Sequence, residues 1–362
     1  MNFLLLIVIV LFCVAASQIM KIFEISSAMR GEKQYVITDR DNRLNGRLFF
    51  IFLVVFFGFC IWQLFKYKDK LLPVAASEEG VELDWLLNFN FVIISIVFFV
   101  TNAFLFYFAY KYHGRTGHKA VYYPENHKLE LLWTIIPGIV LAVIIFLGLR
   151  TWHSITRDPE GEEYMLVEVY SKQFDWTARY SGDDNTLGFA TYKKIAPNNP
   201  LGVDSADKAS ADDFLVNPGG ELHIKKGTRV KFVFRSRDVI HSAYFPHFRQ
   251  QMNTVPGMTT MLHFVPTITT DSMKLITNNP EFDYVLLCNK ICGASHYNMQ
   301  LKVVVDEPAK FDEWYKEAKK KTIFASASAD SKEEDKKPVD PVPASNDTAK
   351  TLNSDTAAQR KP

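Results

Sequence analysis

The sequence predicts two structural parts in series: transmembrane α-helices first, then an all-β sandwich or barrel. Three observations carry this reading. Phenylalanine is abundant, 29 of 362 residues, and much of it sits in long apolar runs before Trp152. Beyond Trp152 the runs shorten into alternating or β-branched stretches separated by turn signals. The formal net charge is only +1, which gives no bulk electrostatic footprint for nucleic acid, so no nucleic-acid partner is expected.

Four apolar segments run in order: Phe3–Met20, Leu48–Phe65, Trp85–Tyr110 and Leu129–Trp152. Each reaches the roughly 18 residues needed to cross a hydrocarbon core of ~30 Å. The first, within residues 1–20, reads as an extra N-terminal span. A cleaved signal peptide is the alternative: Ala15-Ala16-Ser17 resembles a cleavage site, but no basic residue precedes the apolar run. Residues 21–47 read as a basic cytoplasmic loop, with Lys21, Arg30, Lys33, Arg40, Arg43 and Arg47. Residues 48–65, 85–110 and 129–152 are the remaining transmembrane helices. The loop at 111–128 is also basic and cytoplasmic. The loop at 66–84 then falls outside, which suits Glu78, Glu79, Glu82 and Asp84 but not Lys66, Lys68 and Lys70. With all four spans retained, everything after Trp152 is exported. Glu130 opens the last span, as a snorkelling interfacial carboxylate or as a proton donor to a membrane pathway.

In the exported half, strands are expected at Tyr164–Tyr170, Phe174–Tyr180, Glu221–Ile224, Val230–Phe234, Met261–Pro266, Tyr284–Leu287 and Leu301–Val305. Ser181-Gly182-Asp183-Asp184, Asn217-Pro218-Gly219-Gly220, Lys226-Gly227 and Pro256-Gly257 supply turns. The polar segment 185–216 reads as a long insertion loop. Residues 160–310 form the folded exported domain, followed by an amphipathic helix over 306–321. From 325 to 362 the chain lacks large apolar residues and reads as a disordered tail.

One stretch concentrates the chemistry. Cys288 and Cys292 are four apart, His296 follows four later and Met299 three later. Thiolate, imidazole and thioether together suit copper; thiolate and imidazole alone also suit zinc. A second imidazole is available from His241. The residues leave open a structural Cys2His2 zinc site, two core cysteines beside a surface histidine, and a binuclear copper centre. Met299 weakens the zinc reading, and two cysteines argue against a mononuclear blue-copper site. Cys13 and Cys60 lie in apolar runs, and no C-x-x-C-H motif attaches a haem to this chain.

The same residues carry a family resemblance. The chain resembles subunit II of the haem–copper cytochrome c oxidases of bacterial type. The match runs over Asn126…Glu130-x-x-Trp133-Thr134-x-x-Pro137, over Gln173-Phe174-Asp175-Trp176 with Tyr180, over Asp238-Val239-Ile240-His241-Ser242 with Pro246 and Val255-Pro256-Gly257, and over Cys288 to Met299. The resemblance implies a membrane hairpin followed by a periplasmic cupredoxin-like Greek-key barrel with two copper ions in a binuclear CuA centre. It implies that Cys288 and Cys292 bridge the coppers and that His241 and His296 each bind one. Met299 and the Lys290 backbone carbonyl would be weak ligands. Glu130 would stand at a proton-channel entrance, and Phe174 and Trp176 where electrons enter. Implied partners are oxidase subunit I, which alone holds haem and CuB, other oxidase subunits, and cytochrome c or a cytochrome-containing partner complex. The implied location is the bacterial inner membrane, in contact with lipid. This chain alone would not reduce oxygen.

The chain departs from the family at several points. Lys290 replaces a glutamate that also ligates magnesium, which puts that interface magnesium in doubt. Phe174 replaces a common tryptophan. Gln251-Met252-Asn253 and Met258 alter the surface around the centre, so the donor is not expected to be an ordinary diffusible cytochrome c. The first span exceeds the usual pair. Nitrous oxide reductase also carries CuA but needs a multi-histidine domain, for which nine histidines do not suffice. The remaining alternative is a membrane-anchored copper carrier or assembly protein, in which the Glu130 and Gln173–Tyr180 stretches would be unexplained.

Overall fold

A computed structural model of the chain describes residues 2–29, 37–159, 161, 163–216 and 218–323. The expected tail at 325–362 and the turn residue Asn217 lie outside these. The chain forms two compact units, one helical through Arg157 together with His247–Arg249, the other beginning at Asp158.

The helical unit contains α1 (Asn2–Met29), α2 (Asp39–Tyr67), α3 (Glu78–Lys111) and α4 (His127–Thr156). All four are long and apolar enough to cross a bilayer. α1 continues unbroken through Ala15-Ala16-Ser17. Each later helix begins several residues before its apolar run, because a polar cap starts it. Thr38 and Asp41 form a reciprocal capping box at α2. Ser77 Oγ accepts from Gly80 N–H at α3, and Asn126 Oδ1 accepts from Leu129 N–H at α4. These caps overturn the reading of 21–47 as loop: α1 runs on to Met29 and α2 starts at Asp39. α2 and α3 pack through phenylalanines, with Phe52 and Phe106 centroids 5.2 Å apart and Phe57 and Phe99 edge-on at 4.8 Å. Thr151 Oγ1 donates to Glu82 Oε1 at 2.9 Å, which fixes the end of α4 beside the start of α3.

The second unit is a sandwich of two five-stranded sheets. Its strands are β1 (Tyr164–Lys172), β2 (Asp175–Tyr180), β3 (Phe214–Val216), β4 (Glu221–Lys225), β5 (Arg229–Ser236), β6 (His241–Phe245), β7 (Gln250–Thr254), β8 (Thr260–Phe264), β9 (Tyr284–Cys288) and β10 (Gln300–Asp306). One sheet runs β3-β2-β1-β5-β8, the other β4-β10-β9-β6-β7. β1 with β5 and β10 with β4 are parallel pairs; the other ladders are antiparallel. Strict alternation of burial along β5 sends Val230, Phe232 and Phe234 into the core, where Phe232 meets Phe245 at 5.1 Å and Phe264 at 5.5 Å. Helix α5 (Thr270–Ile276) precedes β9, and α6 (Pro308–Ala318) follows β10, burying Phe311 and stacking Trp314 on His223 at 4.2 Å.

Three strands go beyond the sequence expectation. β3 is only a three-residue strand at the end of a polar segment. β7 reads Gln-Gln-Met-Asn-Thr and has no apolar alternation; it exists because β6 offers it a ladder. His241 follows β5 after the short stretch 237–240 and itself begins β6, a strand the sequence reading did not include. Phe174, expected in a strand, occupies the turn between β1 and β2.

The segment 185–216 is more than a loop. It ends in β3 and buries Leu201 and Val203 against Tyr170 and Ile323. Charges fasten it to the sheet. Arg179 donates through Nε to Glu168 at 2.6 Å, and through Nη1 to Asp213 at 3.1 Å and to the Gly188 carbonyl at 2.9 Å. Arg235 also donates to Glu168. All of Glu168, Arg179 and Asp213 are buried, so each charge depends on its partner. Burial pushes the Asp213 carboxyl up to about 6, against the pull of Arg179. A folded-state value above the unfolded one means the carboxyl stabilises the fold when protonated. That contribution is complete below the unfolded value of 3.8 and is lost as pH rises through about 6. Asp213→Asn should therefore flatten the pH profile of thermal stability between these values, by on the order of 2–3 kcal/mol. Unfolding curves of parent and variant across that range, followed by sandwich circular dichroism, check it; parallel profiles would contradict it.

Candidate metal centre

Strands β6 and β9 frame the centre. They pair antiparallel, with Ala243 opposite Cys288 and Tyr244 opposite Leu287. This register carries His241, the first residue of β6, to Cys288, the last of β9, across a separation of 47 residues. After Cys288 the chain makes a loop, a 3-10 turn at His296–Asn298, and then β10. Backbone bonds close the loop at both ends: Cys288 N–H to Met299 O at 3.0 Å, and Asn289 N–H to Ser242 O at 2.9 Å. The loop is held to the rigid sheet rather than left to sample positions.

The two thiol sulfurs stand 3.8 Å apart. Around Cys288 Sγ lie His241 Nδ1 at 3.8 Å and the Lys290 carbonyl oxygen at 3.2 Å. Around Cys292 Sγ lie His296 Nδ1 at 3.6 Å and Met299 Sδ at 3.8 Å. Six donors thus divide into two sets, each with a thiol, an imidazole and a weaker ligand, and the thiols adjoin. Metal–sulfur bonds of ~2.3 Å and metal–nitrogen bonds of ~2.0 Å place neighbouring donors of one tetrahedral metal about 3.3–3.8 Å apart. The observed spacings fit metal between the groups. Six donors exceed the four of a structural zinc site, and the thioether suits copper. The donor set therefore fits copper in its chemistry as well as its spacing.

Cys288, Cys292, His241 and Met299 are buried, whereas His296 is half-buried and Lys290 exposed. Burial, reinforced by the neighbouring Cys288 thiol, pushes the Cys292 thiol up to about 11. A metal seated there displaces those thiol protons.

Residues outside the donor set hold it in place. Asp238 Oδ1 lies 2.8 Å from His241 Nε2, which turns Nδ1 toward the sulfurs. Asp238 Oδ2 accepts the Gln173 N–H at 2.6 Å. Burial opposes charge on Asp238, but hydrogen bonds from His241 and from the Gln173 and Val239 amides outweigh it and leave the carboxyl below its ordinary range. The Gln173 side-chain amide donates to the Cys292 carbonyl. Asp238 stands three residues before His241 in sequence, a spacing that hints at the contact; Gln173 gives no such signal, because it arrives from another sheet. Gly293 has a φ of +144°, and a Cβ there would lie 2.8 Å from the Phe174 ring and 2.9 Å from Gln173 Nε2.

Trp176 is fully buried, its Nε1 3.5 Å from the Met299 carbonyl and its ring 6.1 Å from the His241 ring. Phe174 is half-buried against Gly293, at the rim. Glu130 lies in the helical unit and is not among these residues. It occupies the first turn of α4, its carboxylate 3.2 Å from His127 Nδ1 and 3.4 Å from the Asn126 N–H. A carboxylate there also suits the positive end of the helix dipole.

The fold and the donor set define a class: a β-sandwich on a multi-helix membrane anchor, with a thiol-rich metal centre at one end of a sheet. The model for "Cytochrome C oxidase subunit II, transmembrane domain" matches residues 60–151. The "Alternative cytochrome c oxidase subunit 2" of Bradyrhizobium diazoefficiens is 34% identical over 269 residues, covering 74% of this chain and 91% of that one. "Cytochrome c oxidase subunit 2" of Thermostichus vulcanus is 26% identical over 268 residues, covering 67% and 77%. This chain belongs to the cytochrome c oxidase subunit II family. The periplasmic domain of cytochrome oxidase subunit II (CoxB) of Bradyrhizobium japonicum aligns at a TM-score of 0.30 and 19% identity, over 44% of this chain and 95% of that one; a likeness that slight carries no weight.

Gly293→Ala should destabilise the loop by about 1–3 kcal/mol, through both the backbone conformation and the Phe174 contact. Combining it with Phe174→Ala should recover the steric part. Thermal unfolding of the full chain in detergent checks this, and equal melting of parent and Gly293→Ala would refute it.

Proposed function

We propose that this chain is the electron-accepting subunit of a bacterial cytochrome c oxidase and holds a binuclear copper centre. The division of six donors into two sets that share adjoining thiols supports it above all. Cys288 and Cys292 would lie between two coppers, with His241 and Lys290 O on one side and His296 and Met299 on the other. Copper bound in this way supplies a single-electron carrier whose geometry changes little between oxidation states.

The chain's own residues keep that geometry. Asp238 fixes the His241 ring, Gln173 ties the loop through the Cys292 carbonyl, and burial of both sulfurs keeps water off them. Phe174 at the rim and Trp176 behind Met299 are the aromatic side chains on the donor side. The donor is an exported cytochrome c or the cytochrome domain of a partner complex. Subunit I, with haem and CuB, reduces oxygen to water and pumps protons. The helices sit in the inner membrane, with the sandwich on the periplasmic side. Lys290 cannot ligate a cation through its ammonium, so no magnesium is assigned to that position.

Full-length chain reconstituted with copper should bind two coppers and give the electron-resonance hyperfine pattern of one unpaired electron shared over two nuclei. A single-copper spectrum, or zinc held in preference to copper, would defeat the assignment. His241→Ala should abolish the shared pattern.

Glu130 is proposed to stand at the cytoplasmic entrance of a proton path. In the assembled oxidase, Glu130→Ala should slow turnover and proton uptake several-fold while leaving the copper spectrum intact. Unchanged turnover would leave Glu130 a helix-capping residue only.

A further inference from the structure

The three lysines at the end of α2 contradict the charge rule for their side of the membrane. Thr151 and Glu82 join the end of α4 to the start of α3, and the sandwich begins directly after α4. The 66–84 segment therefore shares the side of the membrane on which α4 ends, the exported side in the placement proposed above, where lysine near a span is normally scarce. Two acids of the same segment are engaged elsewhere, Asp84 with Arg249 at 2.7 Å and Glu82 with Thr151, while Asp69 stands between Lys68 and Lys70 and leaves the cluster a net charge of +2. No ion pair joins Lys66, Lys68 or Lys70 to a carboxylate among the described residues. Lys66 instead places its ammonium 4.5 Å from the Trp62 ring centroid and 5.3 Å from that of Tyr67.

Residues of α2 and α3 bound a cleft of about 570 Å3, and Tyr67 and Leu71, chain neighbours of these lysines, form part of its lining. Phe59, Gln63, Leu64, Tyr67, Ser95 and Phe98 line it. It is a cleft and not a closed void, for Phe59, Leu64 and Tyr67 are 52%, 51% and 41% exposed. Its walls are apolar, yet the Gln63 carboxamide oxygen is buried there with no hydrogen-bond donor. Lysines at an aromatic belt above an apolar groove match an amphiphile with an anionic head and a hydrocarbon tail.

We propose that this groove is a binding site for an anionic phospholipid. The phosphate sits among Lys66, Lys68 and Lys70, Trp62 and Tyr67 lie at headgroup level, and one acyl chain fills the cleft between α2 and α3. A glycerol headgroup offers a hydroxyl donor that a choline headgroup lacks. The site rests on the membrane placement given above but not on the copper assignment, which the spectrum tests separately.

The test uses the full chain in bilayers containing spin-labelled phosphatidylglycerol or spin-labelled phosphatidylcholine. The fraction of motionally restricted label is read for each. Restricted phosphatidylglycerol should exceed restricted phosphatidylcholine at least about threefold, as expected for several lysines acting together. The Lys66→Gln/Lys68→Gln/Lys70→Gln variant should lose the preference. Ser95→Leu, which fills the cleft without changing charge, should reduce the restricted population of both lipids. Inorganic phosphate should compete weakly. Equal restriction of the two lipids by the parent chain overturns the proposal without any variant being needed. Full displacement by phosphate overturns it too, since that would show an ion site with no part for the cleft.

Discussion

The antiparallel register of β6 against β9 is the constraint on which the centre depends. It sets Ala243 opposite Cys288, and so brings the imidazole of His241 to a thiol 47 residues away. A one-residue slip would turn every side chain of β6 to the opposite face and carry His241 away from the sulfurs. The register is not free to slip. Phe245 lies in the core against Phe232 and Phe264, and Ser242 O accepts the Asn289 amide at the far end of the pair. Core packing thus sets the position of His241 and Cys288, and the loop adds the remaining candidate donors.

This explains which parts were legible in the sequence. Cys288, Cys292, His296 and Met299 are local, so their spacing alone exposes the chemistry. His241 was readable only through a motif, because nothing in its own surroundings announces a partner on β9. The supports were harder. Gln173 reaches the loop from a turn in the opposite sheet, and Gly293 is required by the Phe174 ring. Both are facts of contact rather than of pattern. The membrane helices follow the same division. Hydropathy found their interiors, while their ends depend on caps such as Thr38 and Asn126, which lie in polar stretches that read as loop.

The insertion at 185–216 illustrates the cost of covering a polar face. The β1–β2–β5 region carries Glu168 and Arg179, which are buried, and Arg235, which is half-buried. Asp213 comes from the insertion itself and supplies the second carboxylate to Arg179. One cation and two anions are thereby removed from water, with a second cation, Arg235, half-buried beside them. Such clusters are weak sources of net stability but costly to break, because losing one member strands a buried charge. The cluster fixes where the segment lies more than it adds to folding free energy.

Lys290 contributes to the candidate centre through its backbone and not through its side chain. The group that approaches Cys288 Sγ is its backbone carbonyl, at 3.2 Å, whose position comes from the loop's anchors at Asn289 and Met299. Its side chain is exposed and takes no part in that geometry. The charge at this position can therefore change without moving the candidate ligands. What such a change alters is the exposed outer surface of the loop. Ile291 and Tyr297, 87% and 88% exposed, lie on that same loop, Ile291 between the two cysteines and Tyr297 beyond them. With the exposed Lys290 beside them, the loop's outer surface combines two large apolar side chains with one positive charge.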